Sequence, residues 1–489
     1  MTYAGLLPLL LLMPTQAAER APAEILREIR ALGNQVPNAV FGELAQQKTP
    51  DALDALIKGL TAISRVEKLC AAYSAFEHFG EVPEVADDAA EYLEKCARQD
   101  KERLALHAVY RLGTLWPASQ EELVTLALDH ATPDGRSVAL MHLVENGMPL
   151  SRKELTKLAR SKDFETRYEA LLAQTARIED VAKRTRKIAQ FARSRHAVER
   201  LVVTELLALA DIPRRFEILD EQLADVDPRV ARKAIASLER TRDVAAVEIL
   251  IARLSVAREG ERQRISRSLE RLTGRSLGSE PGRWQRWWEK EGASFEISDA
   301  TSSGEERPAQ GLTSSSFYGL PIHADSLVFA IDTSDSMKQP AGGAGGESRI
   351  EVAKRELTKA LESLPADKSI ELVNFGSHAW SWKGELVAAK AKNKQSAIRH
   401  VASLDLTWGT EIYAALREAF RDPGADTILF LTDGDPQLSL MQDRSALRRI
   451  VAQWNRTRHT TIDCITIGTD RAWLRKLAEQ TDGRYRRID

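Results

Sequence analysis

Leu327-Val328-Phe329-Ala330-Ile331-Asp332-Thr333-Ser334-Asp335-Ser336-Met337 is the stretch on which the reading of this chain turns. Its first five residues are all apolar, the pattern of a strand buried on both faces of a mainly parallel sheet. A loop of acidic and hydroxyl residues follows at once. Downstream, Ile350, Ala353, Leu357, Leu361 and Leu364 recur at helical spacing. Further strands are expected near 370–375, 379–387, 427–431, 462–467 and 485–488, with helices near 396–404, 411–420, 445–456 and 472–479. Strands alternating with helices imply a doubly wound, Rossmann-like α/β domain, here over residues 324–489.

Ligands of such sheets bind beyond the carboxyl ends of the strands, where connections diverge to opposite faces. Three loops bring oxygen-bearing side chains to that edge: Asp332-x-Ser334-x-Ser336, Trp408-Gly409-Thr410-Glu411, and Thr432-Asp433-Gly434. Together, in this order, they resemble the metal-ion-dependent adhesion site of the von Willebrand factor A (vWA) family. The resemblance implies that Ser334, Ser336 and Thr410 offer oxygens directly to one divalent cation, with Asp332 and Asp433 acting largely through bound water. Hydroxyl and carboxylate oxygens are hard donors suited to Mg²⁺, Mn²⁺ or Ca²⁺, and Mg²⁺ tends to keep waters. A position is then left to accept an Asp or Glu carboxylate from a protein partner. The competing reading is a set of loops whose Asp and Ser side chains only cap helices. Two features depart from the family pattern. Asp335 stands where glycine is usual, and the Gly-rich stretch 340–346 lengthens the approach to the next helix, read here as slack.

Upstream, residues 18–298 show little strand signal and much Ala, Leu and Arg at helical spacing. Helix starts recur at Asp100, Asp134, Asp163, Ser194 and Asp227, 29 to 34 residues apart, which suits two short helices per unit of a solenoid. The units resemble HEAT-like repeats, Asp227-Pro228-Arg229-Val230-Ala231 most of all; a generic helical bundle is the alternative. Trp284, Trp287 and Trp288 share a helix face and are expected to cap the last repeat's core, an aromatic ligand platform being the other reading. Residues 299–323 are assigned to a flexible linker, because the Ser, Thr, Gly, Glu and Pro of 299–316 lack apolar periodicity. The fold expected is therefore multidomain, an all-α HEAT-like solenoid followed by an α/β vWA domain.

At the start, the apolar run Leu6 to Met13, Pro14 and then Thr15-Gln16-Ala17 read as a signal peptide over 1–17, so export to the periplasm, envelope or exterior is expected. No later segment reads as a membrane span. In an oxidising compartment Cys70 and Cys96, each a similar distance from the Gly80–Pro83 turn, are candidates for a disulfide; two small core residues is the alternative. Cys464 lies in an apolar strand. The net charge of -2 gives no general attraction to nucleic acid or anionic lipid. No His-Glu-x-x-His or Gly-x-Ser-x-Gly pattern occurs, so a metal-dependent hydrolase is disfavoured and no catalytic residue is assigned. The absence of a Gly-x-x-x-x-Gly-Lys loop means that, in a third reading as an intracellular assembly factor for a chelatase-like complex, the ATPase would be a separate chain. The leading expectation is a non-enzymatic binding or scaffolding protein, with the solenoid as a second interaction surface.

Overall fold

The structure, a computed structural model, describes residues 20–99, 102–209, 212–297, 315–342, 346–437 and 439–488. The apolar start, Asp100, the linker stretch 298–314 and residues 343–345 of the Gly-rich loop lie outside the described residues. The chain divides into two compact units, one of residues 1–99 with 107–122 and one of 100–106 with 123–489.

In the first unit, apolar faces of helices Pro22–Leu32, Asn38–Gln47 and Pro50–Leu60 bury Ile25, Ile29, Phe41, Leu44, Leu53 and Leu56. Helix Val66–Tyr73 is shorter than its periodicity implies, because Ser74–Glu81 winds into the tighter 3₁₀ form. Helix Pro83–Gln99 packs chiefly on that 3₁₀ segment, with Phe76 stacked on Tyr92 at 5.5 Å. Cys70 and Cys96 are both buried, as apolar helix faces require.

In the second unit, helices Pro133–Glu145, Phe164–Ala176, Ala197–Leu209 and Pro228–Thr241 begin at the recurring positions read from the sequence. The Asp163 side chain caps Thr166 N at 2.8 Å and that of Asp227 caps Arg229 N at 3.0 Å. At 133–145 the cap is Thr132, not Asp134. Phe164–Ala176 packs on Ala197–Leu209, which packs on Pro228–Thr241, which packs on Glu259–Thr273. Helix Pro281–Glu291 closes the stack: Trp284 is wholly buried and donates Nε1–H to Gly278 O at 2.7 Å, with Trp287 edge-on to it.

The α/β domain begins earlier than composition indicates. Residues 315–323, assigned to the linker, carry a hairpin of β1 (Ser316–Phe317) and β2 (Leu320–Pro321), and the Phe317 ring packs edge-on against Phe329 at 5.5 Å. Its apolar residues are too few for a periodic signal but enough to bury. The main sheet comprises β3 (Ser326–Asp332), β4 (Ser369–Phe375), β5 (Ala379–Ser381), β6 (Val387–Ala388), β7 (Thr427–Thr432), β8 (Thr461–Ile467) and β9 (Tyr485–Ile488). Its order is β5-β4-β3-β7-β8-β9, with β6 also on β4; the pairs from β4 to β9 are parallel. The single strand expected over 379–387 is thus two short antiparallel edge pieces. β3 lies centrally and is buried from Leu327 to Asp332.

The starts of the strands dock on the helix stack, along helices Phe164–Ala176, Pro228–Thr241 and Glu259–Thr273. Arg232 is buried and donates to Arg458 O (2.8 Å), Pro423 O (2.7 Å) and Gly424 O (3.4 Å). Arg458 pairs with Glu165 at 2.7 Å, Arg456 with Glu169 at 2.7 Å, and Lys368 with Glu259 at 2.8 Å and Asp325 at 3.2 Å. Gly260 N donates to Asp325 Oδ2 at 3.1 Å, and a Cβ at Gly260 would stand 2.9 Å from Asp325 N. This face of the helix stack is covered by the chain's own C-terminal domain. Among the described residues no helix is long and apolar enough to cross a membrane.

Candidate metal centre

The opposite edge of the sheet is left outward. β3 continues to β4 on one side while β7 lies on the other, so the connections diverge between β3 and β7, where a doubly wound sheet opens a crevice. Asp332 ends β3 and Asp433 immediately follows β7.

Four of the five expected ligands form one hydrogen-bonded chain. Asp332 Oδ1 accepts from Ser334 N at 2.7 Å, Ser334 Oγ lies 3.0 Å from Ser336 Oγ, and Ser336 Oγ donates to Asp433 Oδ1 at 2.7 Å. Thr432 Oγ1 donates to Asp332 Oδ2 at 2.5 Å. Asp332 is fully buried and its carboxyl is pushed up to about 7, by burial first and then by the negative charge of Asp433. Ser336 and Asp335 are exposed and form the open side. Asp335 accordingly sits at the rim.

Thr410 is brought to the same place through its loop. Thr407 N donates to Thr333 O at 2.8 Å, Glu411 N to Gly376 O at 2.7 Å, and Thr410 N to Gln437 O at 2.9 Å. The Thr410 hydroxyl lies 3.9 Å from where a Cβ on Gly434 would stand, beside Asp433. Glu411, next in the chain, is buried and accepts from Ser439 Oγ and Leu440 N, so it braces the loop. Gly376 has to be glycine, since a Cβ there would fall 1.8 Å from Thr407 Oγ1. Trp408 and Trp380 are the exposed large hydrophobic side chains of this domain among the described residues.

Several participants carry no motif signal. Thr432 is hidden in an ordinary apolar strand ending. Arg349, first residue of helix Arg349–Ser363, places Nη1 2.7 Å from Asp433 Oδ2. Arg471 donates to Asp433 O at 3.2 Å and pairs with Asp435 at 3.2 Å, and Asp435 also accepts from Trp473 Nε1 and Arg444. Only the folded chain brings these arginines to the site.

Among the described residues no three His, Cys, Asp or Glu side chains are grouped to hold a metal. The set here is instead two carboxylates and three hydroxyls, all hard oxygen donors, which suits Mg²⁺, Mn²⁺ or Ca²⁺ with several waters retained. A buried carboxyl such as Asp332, raised further by the negative charge of Asp433 beside it, is also a place where a cation is favoured.

The von Willebrand factor type A domain family matches residues 325–487. The human inter-alpha-trypsin inhibitor heavy chain H4 is 29% identical over 184 residues, 35% of this chain and 19% of that protein. The chain thus spans about a fifth of the length of the curated relatives it matches. Among solved structures, a von Willebrand factor type A protein from Catenulispora acidiphila is 25% identical over 34% of this chain and 38% of its own, with a TM-score of 0.30. The RO (RSR) protein of Deinococcus radiodurans aligns over 94% of this chain and 90% of its own at 12% identity and a TM-score of 0.24.

Proposed function

Since residues 325–487 form a von Willebrand factor type A domain, we propose that the protein is a non-enzymatic, metal-dependent binding or scaffolding protein of the cell envelope or exterior. One divalent ion, Mg²⁺ or a close substitute, is held by Ser334, Ser336 and Thr410, with Asp332 and Asp433 orienting its waters. It captures an Asp or Glu carboxylate of a protein partner. The observation that carries the reading is the hydrogen-bonded chain from Asp332 through Ser334 and Ser336 to Asp433, open to solvent at Ser336. The docked helices hold the strand starts, so the opposite, site-bearing edge is the one offered to a partner. The apolar leader read from residues 1–17 supports the exported location.

The test is thermal unfolding of the full chain in chelator and in millimolar Mg²⁺ or Mn²⁺. Binding to the folded state alone stabilises by about 2.7 kcal/mol at a hundredfold excess over Kd. Asp332→Ala and Thr410→Ala are each expected to abolish the response. Identical melting of wild type and both variants in chelator and in metal would refute the reading and leave the loop residues as helix caps.

A further inference from the structure

Among the described residues Arg349 is the charged side chain paired with a carboxylate of the ligand set that the metal reading does not use. Asp433 has both carboxylate oxygens engaged, Oδ1 by the Ser336 hydroxyl and Oδ2 by the Arg349 guanidinium, each at 2.7 Å, and its side chain is 1% exposed. The guanidinium lies in a slot made for it. Gly468, at φ +84°, borders that slot, and a Cβ there would stand 2.5 Å from Arg349 Nη2. Arg349 also opens helix Arg349–Ser363, where the helix dipole disfavours a cation. Its Nε is buried without a hydrogen-bond partner among the described residues. Asp433 is therefore what holds the group in place. Arg471, the other arginine touching this loop, donates to the Asp433 backbone carbonyl and is paired with Asp435.

We propose that Arg349 is a built-in counter-cation that competes with the divalent ion for Asp433 and so sets how tightly the site holds metal. This rests on the metal-binding reading above. A divalent ion drawing on Asp433 meets a full positive charge a few ångströms away, and such repulsion is large even at the effective dielectric of a protein surface. The ion either displaces the guanidinium from Oδ2 or binds against it. In both cases affinity is held below what the oxygen donors alone would give. The site is then one that loads and unloads with ambient metal.

The experiment measures Mn²⁺ binding to the full chain by titration calorimetry, together with melting in chelator and in Mn²⁺. Arg349→Met is expected to tighten Mn²⁺ binding by about tenfold or more. It should also lower the melting temperature in chelator, because Asp433 loses its counter-charge, and enlarge the rise on adding Mn²⁺. Gly468→Ala keeps the charge but pushes the guanidinium from its slot, so a smaller tightening in the same direction is expected. It serves as the second variant should Arg349→Met fail to fold. Mn²⁺ affinity that is unchanged or weaker in a folded variant, with wild-type binding intact, overturns the inference alone. Failure of wild type and variants alike to bind Mn²⁺ overturns the metal-site reading, and this inference with it.

Discussion

Replacing Glu165 or Arg458 tests whether the α/β domain is locked onto the helix stack. The two side chains meet at 2.7 Å with 7% and 10% of their surfaces exposed, and burial depresses the Arg458 pKa while Glu165 opposes it. An ion pair this dry gains little over an apolar pair, but removing one partner strands a buried charge at a cost of about 3–5 kcal/mol. Glu165→Gln and Arg458→Met are therefore each expected to destabilise by about 3 kcal/mol, and the double variant by hardly more than either single one. The coupling energy comes to about 3 kcal/mol, the upper end for residues in contact. Urea unfolding followed by tryptophan fluorescence reads it, since Trp454 is buried on the same helix as Arg458. A coupling below about 0.5 kcal/mol would mean that the pair is hydrated and the domains are not held together there.

Three further outcomes follow from the geometry. Gly376→Ala drives a Cβ into Thr407 Oγ1 and displaces the threonine loop, so metal-induced stabilisation should be lost while the domain still folds; an undiminished thermal response would show that the loop is not part of the site. Gly260→Val wedges the start of helix Glu259–Thr273 away from Asp325 and Asp426 and should lower the melting temperature, whereas unchanged melting would refute close docking at that point. Burial alone would raise the pKa of Glu205, yet Lys233 at 2.6 Å and Arg240 at 3.0 Å bring it down to about 2 from 4.5. A carboxyl depressed in the folded state contributes stability above the unfolded pKa and loses it as pH falls through the folded one, here from about 4.5 towards 2. Glu205→Gln should flatten that part of the acid-stability curve, and an unaltered curve would show that the pair does not form.

Local pattern was enough for much of this protein. An unbroken apolar run made Leu327–Ile331 a strand buried on both faces, since no half-exposed strand tolerates that pattern. Strand-end position marked out three loops, the resemblance to the vWA family is what named Asp332, Ser334, Ser336, Thr410 and Asp433 within them, and helical spacing placed the tryptophan cap. These features depend on residues close in sequence or on a fixed rule of sheet topology.

What only the tertiary structure decided depends on groups distant in the chain. The 3₁₀ winding over Ser74–Glu81, where periodicity alone continues the helix, goes with packing against helices Asn38–Gln47 and Pro83–Gln99. The hairpin at 315–323 is too short for a periodic signal and joins the domain because Phe317 finds Phe329. Arg232 and Arg458 look like any solvent-facing arginines of an amphipathic helix, and their burial follows from carbonyls and carboxylates supplied from elsewhere in the chain. Arg349 likewise reads as one cation among many at a helix start. Its contact with Asp433, 84 residues away, exists only because the sheet brings the start of that helix beside the end of β7, and charge pairing at that range leaves no periodic trace in the sequence.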